Sequence, residues 1–195
     1  VFKSVDGGQE WAPINNGLTN THPCAIAIDP SNTSTIYVGA GSAGLFKSID
    51  GGASWNASGP RMFRTSLILD IRAIAIDPSN TSTIYAASHG ADIFKSVDGG
   101  ANWTLHASQT LSFIGTIVID PGTPTTIYAG GIFSNGGVFK STNGGLTWQS
   151  ANNGLTTPFI NSLALDPLTT STLYVSTNEG TFKSIDGAAS WTSLN

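Results

Sequence analysis

One phrase recurs five times along this 195-residue chain and restricts the folds open to it. Each copy runs from the residue before Phe-Lys-Ser, through Asp-Gly-Gly or a close variant, to a Trp. The copies occupy Val1–Trp11, Leu45–Trp55, Ile93–Trp103, Val138–Trp148 and Thr181–Trp191. Their phenylalanines lie 43 to 48 residues apart, and a period of this length is typical of repeat architectures.

A second phrase alternates with the first and completes the repeating unit. It joins a short apolar run, an Asp-Pro pair and a segment rich in β-branched residues and tyrosine, at Ala25–Ala40, Ala73–Ser88, Thr116–Gly131 and Ser162–Thr177. Proline cannot continue a central strand, so Asp-Pro marks a turn, and Gly-Gly marks a hairpin. Each unit therefore predicts four short strands, as in a β-propeller blade. A solenoid is the alternative repeat architecture.

The phrase that ends in Trp resembles the Asp-box, or bacterial neuraminidase repeat, of sialidases, xyloglucanases, sortilin and photosystem-assembly propellers. The resemblance rests on Ser-x-Asp-x-Gly-x-x-Trp and covers essentially the whole chain, with Asn143 replacing one Asp and Ala188 one Gly. It implies an all-β Asp-box propeller in which the box residues fasten the turn between the third and fourth strands. The residues with this implied structural role are Ser4, Asp6, Trp11, Ser48, Asp50, Trp55, Ser96, Asp98, Trp103, Ser141, Asn143, Trp148, Ser184, Asp186 and Trp191.

The positions of the two phrases predict a single β-propeller region over residues 1–195. Four complete four-stranded blades are expected at 25–58, 73–106, 116–151 and 162–195, after an N-terminal outer half-blade at 1–14. A half-blade leaves one sheet edge open. We therefore expect this region to belong to a larger propeller, or another chain or a missing chain segment to cover the edge.

Composition argues against several kinds of partner. A net charge of −4 and a pI near 5.1 are unsuited to nucleic acid, and no apolar run approaches the roughly 18 residues of a membrane span. Cys24 is the single cysteine, and His22, His89 and His106 lack metal-ligand spacing. We predict no cofactor, no metal, no nucleic acid partner and no membrane insertion. The predicted location is extracellular or at the cell surface, with the periplasm as an alternative.

Few side chains remain for a ligand site once the repeat is set aside. The least repetitive stretch is Gly59–Arg72, which contains every arginine of the chain. Ligand sites on such scaffolds are expected in loops. The candidate ligand-binding residues are Arg61, Phe63, Arg64, Asp70, Arg72, Asp92, Phe133 and Glu179; His22, Phe113 and Phe159 lie in the equivalent connections between units, and His89 and Asn135 lie in the loops from second to third strands.

No residue set in the sequence predicts catalysis. A glycosidase needs two positioned carboxylates, for which Asp70 with Asp92 or Glu179 is the available choice. The sialidases that the repeat resembles use three arginines from separate blades, whereas here all three surround one connection. The predicted function is a non-catalytic extracellular binding or scaffolding propeller whose ligand is a glycan or a protein. The alternatives are a portion of a xyloglucanase-like or sialidase-like glycoside hydrolase, with catalytic residues partly outside this chain, and a photosystem-assembly-type factor.

Overall fold

Every regular element in the described part of the chain is a β-strand. The computed structural model describes residues 1–20, 22–59, 70–90, 92–107, 113–133 and 136–194. The strands are β1 (Phe2–Lys3), β2 (Ala12–Pro13), β3 (Ala25–Ile28), β4 (Ile36–Gly39), β5 (Leu45–Ser48), β6 (Asn56–Ala57), β7 (Ile71–Ile76), β8 (Ile84–Ser88), β9 (Ile93–Ser96), β10 (Thr104–Ala107), β11 (Ile114–Ile119), β12 (Ile127–Gly131), β13 (Gly137–Ser141), β14 (Gln149–Ser150), β15 (Ile160–Leu165), β16 (Leu173–Thr177), β17 (Gly180–Ser184) and β18 (Thr192–Ser193). These residues contain no helix that could cross a membrane.

The strands form one two-stranded sheet and four four-stranded sheets. β1 pairs with β2, and the four-stranded sheets are β3–β6, β7–β10, β11–β14 and β15–β18. Within each sheet the strands follow chain order and pair antiparallel, as a meander. This arrangement confirms the predicted all-β fold built from four-stranded units.

The second strand of each sheet lies where burial is most complete. β4 and β12 are buried along their whole length, and β8 likewise. Their β-branched and aromatic residues suit a strand covered on both faces. The Ile-Tyr segments of these three strands therefore form the interior of the molecule, whereas Tyr174 of β16 is 37% exposed.

Three of the first strands begin two residues before the repeated phrase. β7, β11 and β15 start at Ile71, Ile114 and Ile160, and each has a register shift before the phrase itself begins. Such a shift places an extra residue in one strand and bends it. The three isoleucines are fully buried, so the bend brings an additional apolar side chain into the core.

The core lies between successive sheets. In one cluster Tyr128 and Val138 from the β11–β14 sheet pack with Ile160 and Leu163 from the β15–β18 sheet. A similar cluster joins the β7–β10 sheet to the β11–β14 sheet. Each sheet therefore buries its apolar surface by stacking on its neighbours, as propeller blades do.

The two ends of each sheet carry different connections. One end holds the Asp-Pro turns and the box turns. The other, here called the loop end, holds the links from second to third strands and the links between sheets. The pairing of Ile71 with Ser88 shows this directly, since β7 begins where β8 ends. Non-repeating residues are thus concentrated at the loop end.

Candidate binding site

The box side chains hydrogen-bond mainly within their own turns. Ser48 Oγ accepts from the Gly52 amide at 2.8 Å and donates to Asp50 Oδ1 at 2.7 Å, while that oxygen also accepts from the Ser54 amide at 2.9 Å. Comparable bonds form in the boxes of Asp6, Asp98, Asn143 and Asp186. These carboxylates have their oxygens committed to the turn, which makes them poor candidates for holding a ligand.

The same hydrogen bonds hold three box carboxylates ionised. The pKa values of Asp50, Asp98 and Asp186 are lowered to about 2. The main cause in each case is donation from the residue four positions later, with a smaller contribution from the box serine. None of the three has the raised pKa that a general acid requires.

Three of the predicted ligand residues lie outside the described residues. They are Arg61, Phe63 and Arg64 of the Gly59–Arg72 connection, and their role stays a prediction. Asn135, in the link after β12, is likewise outside the described part of the chain. The remaining candidates, Asp70, Arg72, Asp92, Phe133 and Glu179, are distributed over three of the four-stranded sheets.

Asp70 and Arg72 form an ion pair at the start of β7. Asp70 Oδ2 accepts from Arg72 Nε at 2.9 Å and from Nη2 at 2.6 Å, and these bonds raise the pKa of the guanidinium. Asp70 Oδ1 is buried and has no hydrogen-bond partner among the described residues. Arg72 remains partly exposed, so its other guanidinium donors can reach a ligand at the loop end.

Three aromatic rings gather at the same end of the sheets as this ion pair. The His89 amide donates to the Asp70 carbonyl at 2.8 Å, which fixes the link after β8 against the start of β7. The His89 ring lies 4.7 Å from Phe113 and 5.8 Å from Phe133, and the two phenylalanines are 4.5 Å apart between centroids. We call His89, Phe113 and Phe133 the aromatic cluster.

Strand ends from two neighbouring sheets position the aromatic cluster. His89 follows β8, Phe113 precedes β11, and Phe133 follows β12 by two residues. A backbone bond from the Ile132 amide to the Phe113 carbonyl, 3.0 Å long, holds the last two together. Phe113 is 38% exposed and Phe133 42% exposed, so the cluster offers aromatic surface to solvent.

Asp92 and Glu179 are not members of the aromatic cluster. Asp92 is buried, with its amide bonded to Ser88 Oγ and its carbonyl to the Ser88 amide, so it closes the link between β8 and β9. Glu179 belongs to the β15–β18 sheet and accepts from Thr156 Oγ1 at 2.7 Å. The β11–β14 sheet separates Glu179 from the sheet that carries Asp70.

The histidines occupy three different environments. His22 contacts the Asn20 side chain, His89 belongs to the aromatic cluster, and His106 Nε2 lies 2.8 Å from the Gly144 carbonyl. Burial lowers the pKa of His106. Among the described residues no three His, Cys, Asp or Glu side chains are grouped as a metal site would require.

A groove of 420 Å³ lies at the opposite, box end, between the β3–β6 and β7–β10 sheets. Its walls include Lys47, Asp98, Asn102 and Trp103. Each of these polar groups already has a partner, since Lys47 donates to the Gly99 carbonyl and Asn102 donates to Asp98. The loop end, with its exposed rings and partly exposed Arg72, is therefore the better candidate for a ligand site.

The sequence predicts Phe133 as a candidate residue but does not predict that its ring contacts His89 and Phe113. His89 and Phe113 both lie in predicted loop connections, and this shared location is the sequence signal that could have indicated their contact. His89 directly follows the copy of the second phrase that ends at Ser88. Phe113 lies three residues before the next copy, which begins at Thr116. Their contact depends on how adjacent sheets stack, which the repeat spacing does not specify.

The overall fold is shared with solved structures. An enzyme of glycoside hydrolase family 74 (GH74) from Niastella koreensis is 23% identical, with a TM-score of 0.81 over 100% of this chain and 34% of its own. The chain has a β-propeller fold. An ancestral GH74 enzyme is 25% identical over 94% of this chain and 25% of its own, with a TM-score of 0.73. YCF48 bound to a D1 peptide is 13% identical over 91% of this chain and 56% of its own, with a TM-score of 0.67.

This propeller spans only part of the proteins it resembles. It corresponds to a quarter to a third of the two GH74 chains and to about half of YCF48. No family model and no curated protein sequence matches it. The comparisons therefore identify a fold, and the activity has to be argued from the site.

Proposed function

We propose that this propeller is a non-catalytic binding module whose loop end holds a glycan. The observation that carries the proposal is the exposed aromatic cluster at the loop end, which also holds the Asp70–Arg72 pair. Aromatic rings offer apolar faces against which the C–H faces of a sugar can pack. Arg72, which is oriented by Asp70, adds donors for hydroxyl groups, and a few polar groups at an apolar surface are typical of ligand sites.

A panel of neutral and acidic oligosaccharides, titrated by calorimetry, tests the proposal. Phe113→Ala and Phe133→Ala should each weaken binding at least about tenfold, because aromatic anchors carry much of the affinity of such surfaces. The matched control is Phe2→Ala, which removes an exposed phenylalanine from β1, outside the aromatic cluster. Equal affinities for the control and the two cluster variants would refute the site, and the absence of any oligosaccharide ligand would refute the function.

The likeness to GH74 enzymes favours a second function, a portion of a glycoside hydrolase. Hydrolysis needs two carboxylates on either side of the scissile bond. Asp70 is bound by Arg72, Asp92 is buried, and Glu179 lies two sheets away, which supports the binding role instead. Sugar release by this chain that disappears in Asp70→Asn or Glu179→Gln would establish the second function and exclude the first.

A glycan ligand goes with an extracellular, cell-surface or periplasmic location, and we propose that the module acts there. The protein-ligand alternative would use the same surface, since exposed aromatic residues beside an arginine also suit a peptide. Competition between an oligosaccharide and a peptide at the aromatic cluster would distinguish these ligands.

A further inference from the structure

Two of the junctions between successive sheets are closed by the same short segment. The sequence Asn-Asn-Gly-Leu-Thr occurs at residues 15–19 and again at 152–156. Each copy follows the last strand of one sheet and contacts the box tryptophan of the next sheet, Trp55 or Trp191. We call these two copies the Asn-Gly segments. Their contacts define which chemistry a box of this kind binds.

The second asparagine of each Asn-Gly segment bonds to the box at two points. Its carbonyl accepts from the tryptophan amide, and its carboxamide donates to the carbonyl of an alanine two residues before that tryptophan. The amide bonds join Trp55 to Asn16 at 2.9 Å and Trp191 to Asn153 at 2.8 Å. The carboxamide bonds join Asn16 to Ala53 at 3.4 Å and Asn153 to Ala189 at 3.5 Å.

The glycine and the leucine complete the fit. Gly17 and Gly154 both have a φ of 93°, and a Cβ at either would lie 2.2 Å from the tryptophan carbonyl oxygen. The leucines that follow, Leu18 and Leu155, pack on the hydrophobic clusters that contain the tryptophans. An Asn-Gly segment thus combines two hydrogen bonds, a close backbone approach and an apolar contact.

The second junction, between the β3–β6 and β7–β10 sheets, has the same box without such a segment. Its box contains Ala101 and Trp103, spaced as in the two closed junctions. Both residues line the groove of 420 Å³. Among the described residues, no carbonyl accepts from the Trp103 amide and no group donates to the Ala101 carbonyl. The side chains of this groove are committed, but these two backbone groups are open.

The burial of the indoles shows the same difference. Trp55 and Trp191, which the Asn-Gly segments cover, are 3% and 4% exposed. Trp103 is only partly buried, although it packs against a core cluster in the same manner. The groove therefore leaves open the apolar contact that a leucine makes at the closed junctions.

The sequence after β6 lacks the groups that close the other junctions. Pro60 and Arg61 stand where the Asn-Gly segments have their second asparagine and their glycine. Both lie outside the described residues, and their sequence alone shows that the carboxamide and the glycine are missing. The third junction differs on the box side instead, because Leu146 replaces the alanine there.

We propose that the groove at the second junction binds an Asn-Gly-Leu segment of another polypeptide. The asparagine carbonyl of this ligand accepts from the Trp103 amide, its carboxamide donates to the Ala101 carbonyl, and its leucine covers the Trp103 indole. The chain's own Asn-Gly segments are engaged at their junctions, so the ligand comes from a partner. The groove volume is within the range of about 300–1,000 Å³ that ligand sites have.

The test uses the 195-residue chain and a capped synthetic peptide that copies residues 151–157. Binding is followed by NMR of the isotope-labelled protein. We expect shifts of the Trp103 indole and amide signals and slowed exchange of that amide. A peptide with Asn153→Ala should bind about fivefold more weakly, because it lacks one hydrogen bond. A peptide with Gly154→Ala should bind at least about tenfold more weakly, because its Cβ meets the tryptophan carbonyl.

A variant of the protein tests the groove from the other side. Gly59→Asn, Pro60→Asn, Arg61→Gly and Met62→Leu together supply the missing segment within the chain, and this fourfold variant should exclude the peptide. Arg61→Ala is the matched control and should keep the binding, because it adds neither the carboxamide nor the glycine.

Four outcomes would overturn the proposal. They are no binding at millimolar peptide, shifts confined to Trp55, Trp191 or another surface, equal affinity for the three peptides, and undiminished binding by the folded fourfold variant. The peptide series decides the matter if that variant fails to fold. A Phe113→Ala protein should bind the peptide normally, so this test succeeds or fails independently of the glycan site.

Discussion

At the scale of single residues, Gly154 shows how closely two backbone segments approach. Its φ is 93°, and a Cβ there would lie 2.2 Å from the Trp191 carbonyl oxygen. Gly44 has a similar φ of 84° with nothing within 4 Å of that position. Gly44→Ala should therefore cost only the left-handed backbone, about 1–2 kcal/mol. Gly154→Ala should cost about 1–3 kcal/mol more because of the clash.

Urea denaturation of the two variants measures the difference. Equal losses would show that the loop moves aside and that the close approach is not required. Ala188 gives a natural comparison, because it keeps a φ of 67° and is buried in the fifth box. Ala188 therefore has the left-handed backbone that the second box glycine has in the other four boxes.

The box carboxylates also predict how stability depends on pH. Asp50, Asp98 and Asp186 have pKa values of about 2 in the folded chain, against an ordinary value of 3.8. A depressed folded pKa contributes stability above about pH 4, and this contribution is lost as the pH falls toward 2. Stability measured by denaturant should therefore decline over that window.

Asn143 supplies the matched control for this acid sensitivity. Its Oδ1 accepts from the Ser141 hydroxyl and the Thr147 amide without carrying a charge. Converting the three boxes whose pKa is about 2 to this form with Asp50→Asn, Asp98→Asn and Asp186→Asn should flatten the decline, and Asn143→Asp should steepen it. An unchanged profile in both variants would assign the acid sensitivity to other groups.

At the scale of elements, the box tryptophans connect one sheet to the next. Trp191 is 4% exposed, and its Nε1 donates to the Ala151 carbonyl of the preceding sheet at 2.8 Å. Trp11 is 62% exposed and donates only to Gly8 in its own turn. Trp191→Ala should therefore cost about 3–5 kcal/mol, whereas Trp11→Ala should cost under about 1 kcal/mol. Comparable losses in the two variants would mean that the turn itself, rather than the junction between sheets, needs the indole.

The contrast between Trp11 and Trp191 also marks what the sequence could predict. The period, the Asp-Pro turns and the Gly-Gly hairpins are local signals, and they predicted the four-stranded units correctly. Identical boxes nevertheless have different surroundings, because burial depends on the neighbouring sheet. For the same reason the sequence predicted Asp70 and Arg72 as separate candidates and not as an ion pair. It also did not predict the contacts within the aromatic cluster. The ion pair and the aromatic cluster both form at strand ends. The repeat predicts where these ends lie along the chain, but it does not predict their relative orientation.

At the scale of the whole molecule, the lysine side chains contact neighbouring sheets or tyrosine rings. All five occur in Phe-Lys-Ser, and Lys3, Lys47 and Lys140 donate to glycine carbonyls of the following sheet. Lys95 and Lys183 lie over tyrosine rings at 5.1 and 5.5 Å. The lysine ammonium groups are thus held by contacts with neighbouring sheets or with tyrosine rings.

Stacking also predicts an order of local stability along the chain. β8 and β12 are buried between sheets, whereas β1 and β2 form an exposed two-residue pair at one end. Repeat stability depends on the interfaces that each unit makes, and regions with little buried apolar area open first. Hydrogen exchange followed by mass spectrometry should show peptides from residues 1–14 exchanging far faster than those containing β8 or β12. Exchange at residues 1–14 as slow as that of β8 or β12 would contradict this order of local stability.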